Sequence, residues 1–183
     1  MNTPDQRPEI AVSSTRVYDG RVVRLRVDEI RSADGRPGKR EVVEHPGAVG
    51  IVPLLPGPRV VLLRQWRYCV GQWLLEIPAG TLEPGEEPLG CARRELIEET
   101  GYAAARVEPV VSFYTTPGFC TELLRVFLAT ELTAAEASRD EDELLTTVTV
   151  EWDEALAMCL DGRIRDAKTI AGILAVDRVL GDT

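Results

Sequence analysis

The stretch "GTLEPGEEPLGCARRELIEETGY", residues 80–102, decides how this chain is read. Pro88 suits the first turn of a helix and Gly101 suits the residue just past its end, so a helix is predicted between them. Glu95, Glu98 and Glu99 then share one face, three and four residues apart. Like charges at that spacing destabilise an isolated helix by about 0.2–0.5 kcal/mol per pair. A narrow apolar stripe of Leu89, Ala92, Leu96 and Thr100 lies on a different face. The acidic face is either a solvated surface or a demand for cations. Carboxylate oxygens, with no histidine nearby and no CxxC pair, select a hard divalent ion, Mg2+ or Mn2+. Several carboxylates at helical spacing suffice for two or three such ions. Ions of this kind stabilise charge on a diphosphate and activate water.

Bulk composition narrows the partners. The 183 residues suggest one domain with an appended N-terminal element, and 44% hydrophobic with 28% charged content is ordinary for a soluble globular chain. Net charge is −9 and the Lys and Arg residues are scattered, which argues against nucleic acid as a partner. An acidic protein still binds a phosphate compound when a cation bridges the two. The cysteines, Cys69, Cys91, Cys120 and Cys159, form no CxxC pair, and His45 is the single histidine, so a Cys/His zinc site is not expected. No signal pattern opens the chain and no apolar run approaches 18 residues, so no membrane partner is expected. The location expected is cytoplasmic, with reduced thiols.

Outward from the acidic stretch, strands dominate. Residues 9–46 read as an antiparallel β element: 21–30 places Val23, Leu25 and Val27 opposite the arginines, 33–38 is turn chemistry, and 39–45 returns. Residues 48–55 and 60–66, joined by "PGPR", read as a buried hairpin, and 73–80 as a short strand ending in a loop. Beyond the helix, 105–114 and 123–132 are predicted strands around a loop at 115–122. Residues 133–143 are polar, and 144–152 is a last strand. Asp153 is expected to cap a short helix through Leu160, and 167–180 is a terminal helix. Two regions follow, an N-terminal β element at 1–46 and a main domain at 47–183. Strands mixed with helices give an α/β sandwich.

The spacing from Gly80 to Tyr102 is G, five residues, E, seven residues, then R-E-L-x-E-E-x-G-Y. It resembles the Nudix box at every fixed position. The resemblance implies a Nudix-type α/β/α sandwich with a mixed sheet and hydrolysis of a nucleoside diphosphate derivative. "EIPAG" before the box and Pro117, sixteen residues past Gly101, look like the ADP-ribose pyrophosphatase branch. That branch implies Mg2+-dependent cleavage of ADP-ribose to AMP and ribose 5-phosphate, by a homodimer that exchanges its N-terminal β element. It also implies roles. Glu95 and Glu99 would be principal metal ligands, assisted by Glu98 and the Ala79 carbonyl. Glu141 matches the general base, and Glu143 would join a metal or support the loop; Glu98 is an alternative base. Arg40, Glu41 and Arg67 would touch the nucleotide or its phosphates, and Pro117, Gly118 and Glu122 the terminal-ribose side. Val22 stands where some members place an aromatic, which leaves Tyr18 or Trp66 to stack on the base. Rival readings are another nucleotide sugar, a coenzyme or an oxidised nucleotide as substrate, or an ADP-ribose sensor without catalysis.

Overall fold

The computed structural model describes residues 8–136 and 144–181, which divide into two compact units. The first contains the residues up to Pro46 together with Thr116–Glu122, and the second contains Gly47–Thr115 and the residues from Leu123 onward.

The first unit is an antiparallel meander of β1 (Glu9–Asp19), β2 (Arg24–Ser32) and β3 (Pro37–Glu44). The turn between β2 and β3 closes at Gly35, whose φ of 87° is the left-handed conformation that glycine adopts without strain. On β2 the structure adds which face is inner. Val23, Leu25 and Val27 lie opposite the arginines by alternation, and the buried residues are Asp28 and Ile30, on the face that carries Arg26. The reason is a charge ladder across the strands. Arg26 binds Asp28 and Glu44, and Arg16 also pairs with Glu44, so a buried carboxylate is compensated. The segment Thr116–Glu122 adds to the edge of β3. Val43 donates its N–H to the Phe119 carbonyl at 2.7 Å, and Thr121 donates to the Val43 carbonyl at 3.0 Å.

The second unit is a sheet in the order β10-β5-β4-β9-β8, built from β4 (Ala48–Leu55), β5 (Arg59–Arg67), β8 (Tyr102–Tyr114), β9 (Leu123–Ala134) and β10 (Leu145–Glu151). β4 and β9 run parallel; the other neighbours are antiparallel, so the sheet is mixed. Strand β4 is apolar on both faces, as a strand covered on both sides must be. Val49 and Ile51 pack with Cys91, Ala92 and Leu96 of helix α1 (Pro88–Thr100). Ala48 and Val52 pack on the opposite side with α2 (Trp152–Asp161) and α3 (Ala167–Gly181) through Trp152, Met158, Ile173 and Val176. The result is three layers, α/β/α.

One irregularity in the sheet builds the site. β4 and β5 pair only at Leu54–Leu55 with Arg59–Val60, then splay. The wedge is filled by β6 (Gln72–Glu76) along β5 and β7 (Ala79–Thr81) along β4, with the Ile51 N–H bonded to the Pro78 carbonyl between them. The hairpin expected at 48–66 is thus held together only at its turn. Other boundaries shift modestly. α2 begins at Trp152 with Glu151 at its cap position, so Asp153 lies in the first turn rather than capping it. Leu89, assigned to the apolar stripe of α1, is 43% exposed, while Cys91 takes its place in the core.

Candidate active site

Helix α1 starts at Pro88 after an extended Glu87 and ends at Gly101, whose φ of 72° and N–H to the Ile97 carbonyl form a left-handed cap. Its apolar residues fix its roll against β4, which turns the glutamates toward the wedge. Glu99 is 5% exposed and accepts the Ala79 N–H at 2.8 Å. Glu95 lies against Gly80. A Cβ on that glycine would sit 1.7 Å from Glu95 Oε1, so the carboxylate occupies the space a side chain would fill. Strand β7 therefore needs glycine here for close approach rather than for turn geometry.

Arg94 organises the remaining anions. Its Nε and Nη2 grip Glu86 at 3.0 and 3.1 Å, and its Nη1 reaches Glu95 at 2.8 Å and Glu98 at 2.9 Å. Glu86 also accepts the Glu83 N–H at 3.0 Å. The Arg94 guanidinium first, then that backbone bond, holds the Glu86 carboxyl down at about 2. Burial, then the neighbouring Glu86 charge, pushes the Cys91 thiol up to about 12, so it stays protonated and serves as packing. Among the described residues, no three His, Cys, Asp or Glu side chains already converge as a ligand cage. Arg94 stands between them. The donor set is nevertheless oxygen only, and Gly80 leaves Glu95 pressed against bare backbone, which fits a hard divalent cation.

The sequence-predicted residues fall into groups. Ala79, Glu95, Glu98 and Glu99 come together in the second unit, where Arg67 closes β5. Arg67 donates from Nε and Nη2 to Glu76, both at 2.7 Å. Arg40 and Glu41 lie on β3 of the first unit, with Arg40 Nε bonded to Glu9 at 3.0 Å. Pro117, Gly118 and Glu122 lie in the segment that extends β3, and Glu122 is 3.7 Å from His45 Nε2. Tyr18 and Trp66, the candidates for stacking, are exposed and belong to different units. Glu141 and Glu143 lie outside the described residues. Sequence reasoning missed Glu76 and its partner Lys168. "EIPAG" was read for its likeness, and the charge of its first residue was the available signal; nothing in "DAKTIAG" marked the lysine.

The chain belongs to the Nudix hydrolase family: the family model described as the NUDIX domain matches residues 44–172. A second model, the nucleoside diphosphate sugar hydrolase N-terminal domain, matches residues 9–43. Among individual relatives, the ADP-ribose pyrophosphatase of Bacillus subtilis (strain 168) is 39% identical over 167 residues, covering 90% of each chain. The methanol dehydrogenase activator of Bacillus methanolicus is 39% identical over the same length and coverage. A crystal structure of an ADP compounds hydrolase superposes with a TM-score of 0.87, covering 98% of both chains at 20% identity, and so shares the fold. Enzymes of this family generally use a divalent metal ion.

Proposed function

We propose that this chain hydrolyses the pyrophosphate bond of ADP-ribose, giving AMP and ribose 5-phosphate, with two or three Mg2+ ions that Mn2+ can replace. The observation that carries the reading is the oxygen-only face of α1: Glu99 accepts the Ala79 N–H, Glu95 lies against Gly80, and Arg94 ties Glu98 to Glu95. The 39% identity to an ADP-ribose pyrophosphatase over most of both chains supports the substrate.

Glu95 and Glu99 are the residues to hold the metal, assisted by Glu98 and the Ala79 carbonyl. Bound there, the ions neutralise diphosphate charge and lower the pKa of water. Arg94 Nη1 donates to both Glu95 and Glu98, and so holds together two of the carboxylates that would receive the metal. Glu86, gripped by Arg94 Nε and Nη2, anchors the guanidinium. Arg67 meets a phosphate oxygen, Arg40 and Glu41 the nucleotide, and Pro117, Gly118 and Glu122 the terminal ribose. Glu141 takes the proton of the attacking water at its carboxylate, with Glu143 in support. The water oxygen bonds to one phosphorus while the bridging P–O bond breaks, and AMP leaves. General-base help is worth about 10²–10⁴-fold, so Glu141→Gln is expected to lower kcat by that range with KM little changed. An unchanged kcat moves the base to Glu98 or Glu143.

The chain acts as a homodimer with exchanged N-terminal β elements, in the cytoplasm. Among the described residues no helix is long and apolar enough to cross a membrane. A sedimentation mass of one chain would remove the dimer. A second reading, another nucleoside diphosphate sugar as substrate, is favoured by the N-terminal family match. The deciding experiment incubates the protein and Mg2+ with ADP-ribose, ADP- and GDP-sugars, NADH and deoxynucleoside triphosphates, and resolves products by chromatography. Release of AMP from ADP-ribose at the highest kcat/KM supports the first reading. Cleavage of none of them sinks the enzymatic assignment and leaves a binding role.

A further inference from the structure

A second ionic cluster lies in the catalytic unit, outside the box. Glu76 ends β6 and is 1% exposed. Its Oε1 accepts Arg67 Nε, while its Oε2 accepts both Arg67 Nη2 and Lys168 Nζ. Lys168 is also 3.1 Å from Asp166 Oδ2. That same oxygen accepts the Thr169 N–H at 2.9 Å and its hydroxyl at 2.6 Å, and the Thr169 hydroxyl oxygen accepts the Ile77 N–H at 2.8 Å. The first turn of α3 is thereby fastened to the residue that follows Glu76.

Exposure within the cluster is uneven. Glu76 is covered and Lys168 nearly so, whereas the Arg67 side chain is 43% exposed. A buried carboxylate costs free energy unless it is paired and hydrogen-bonded. Burial alone would push the Glu76 carboxyl up; Arg67 and Lys168 together outweigh it and hold it below its ordinary value of 4.5. The geometry adds direction. A bidentate guanidinium is coplanar with its carboxylate, so fixing the plane of Glu76 fixes the plane of Arg67. Lys168, bonded to the oxygen that also takes Arg67 Nη2, is the group that fixes it. Without that bond the Glu76 side chain regains rotamers, and the half-exposed fork turns with it. Glu76 stands three residues before Ala79, whose N–H is bonded to Glu99 of the box, so the cluster borders the acidic face.

We propose that Lys168 is a positioning residue: by sharing Glu76 it holds the Arg67 guanidinium in the orientation that receives a substrate phosphate oxygen. This rests on the reading of Arg67 as a phosphate contact. Such a device acts on substrate affinity, because the Arg67 contact is made before and during the reaction alike.

The test uses Lys168→Met, which keeps most of the side-chain volume and removes the ammonium, and Lys168→Arg, which restores a cation. Arg163→Ala serves as control; its partners Glu154 and Asp161 are on the surface of α2. Kinetics are measured with whichever panel substrate the wild-type protein cleaves. Lys168→Met is expected to raise KM about tenfold, the scale on which lost outer-shell partners act, with kcat altered less than about threefold. Lys168→Arg should recover most of that loss, and Arg163→Ala should leave KM unchanged. A Lys168→Met protein that melts earlier yet keeps the wild-type KM overturns the proposal and leaves Lys168 a structural tie. The proposed function is judged separately, by wild-type turnover on the panel. If the wild type cleaves nothing there, the ratio is read from calorimetric binding of inorganic pyrophosphate with Mg2+, and an unchanged Kd overturns the proposal.

Discussion

At the residue scale, Gly80 and Glu95 occupy one volume between them. Gly80→Ala puts a methyl where the Glu95 carboxylate sits, but the clash falls on a side chain that can swing away rather than on backbone. The variant is expected to fold, with Tm within a few degrees of wild type, and to need about ten- to hundredfold more Mg2+ for half-maximal activity. A Mg2+ titration of turnover checks it; an unchanged titration would mean that Glu95 is not a ligand. Glu76 gives a second prediction, in pH. Its folded pKa is depressed, so the stability it contributes is complete above its unfolded value of about 4.5 and drains as pH falls through the lower folded one. Glu76→Gln should cost about 3 kcal/mol near neutral pH, the low end for breaking a buried pair because Arg67 is half exposed. That is roughly 6–12 °C in Tm. The difference between the two proteins should shrink steadily in thermal melts taken below pH 4.5. A gap that stays constant to pH 3 would show that Glu76 contributes packing alone. Glu95 was legible in the sequence, because fixed spacing along one helix announces a shared face; Glu76 was not. Lys168 meets Glu76 across 92 positions of chain, and no local pattern encodes that meeting.

At the scale of elements, the helix that carries the glutamates was readable from Pro88 and Gly101, and it lies where they put it. The wedge was not. Residues 48–55 and 60–66 carry the alternation-free apolar run of any buried strand, and nothing in such a run says how long two neighbours stay paired. Their separation before Leu54 and beyond Val60 depends on β6 and β7 competing for the same edges. The inner face of β2 was not readable either, for a related reason. Alternation separates valines from arginines, and the cross-strand ion ladder decides which side is buried. The same level explains where the β8–β9 loop belongs. Its backbone is paired to β3, so Pro117, Gly118 and Glu122 are held by the unit that also presents Arg40 and Glu41. Val43→Pro removes the N–H that binds the Phe119 carbonyl. The expected outcome is a KM for ADP-ribose raised about tenfold, from roughly 1.4 kcal/mol of lost loop order, with the Mg2+ requirement unchanged. A KM that stays at the wild-type value would detach loop order from substrate affinity.

For the whole molecule, charge is the deciding quantity. A chain of net charge −9 that gathers glutamates on one helix gains stability from any cation bound only in the folded state. At a Mg2+ concentration about a hundred times the dissociation constant, the gain is about 2.7 kcal/mol. Thermal melts should therefore rise by roughly 5–11 °C over melts taken with a chelator. Identical melting temperatures would contradict cation binding at the box. The division into two units has a consequence for how such a protein can be taken apart. Residues 116–122 are covalently part of one unit's chain and structurally part of the other. A cut after Pro46 therefore does not free an intact catalytic module, because it strips a loop of its only template strand among the described residues. For the same reason a new N-terminal sheet cannot be grafted on as a cassette. Any redesign of one of these two distant stretches therefore has to carry the other with it.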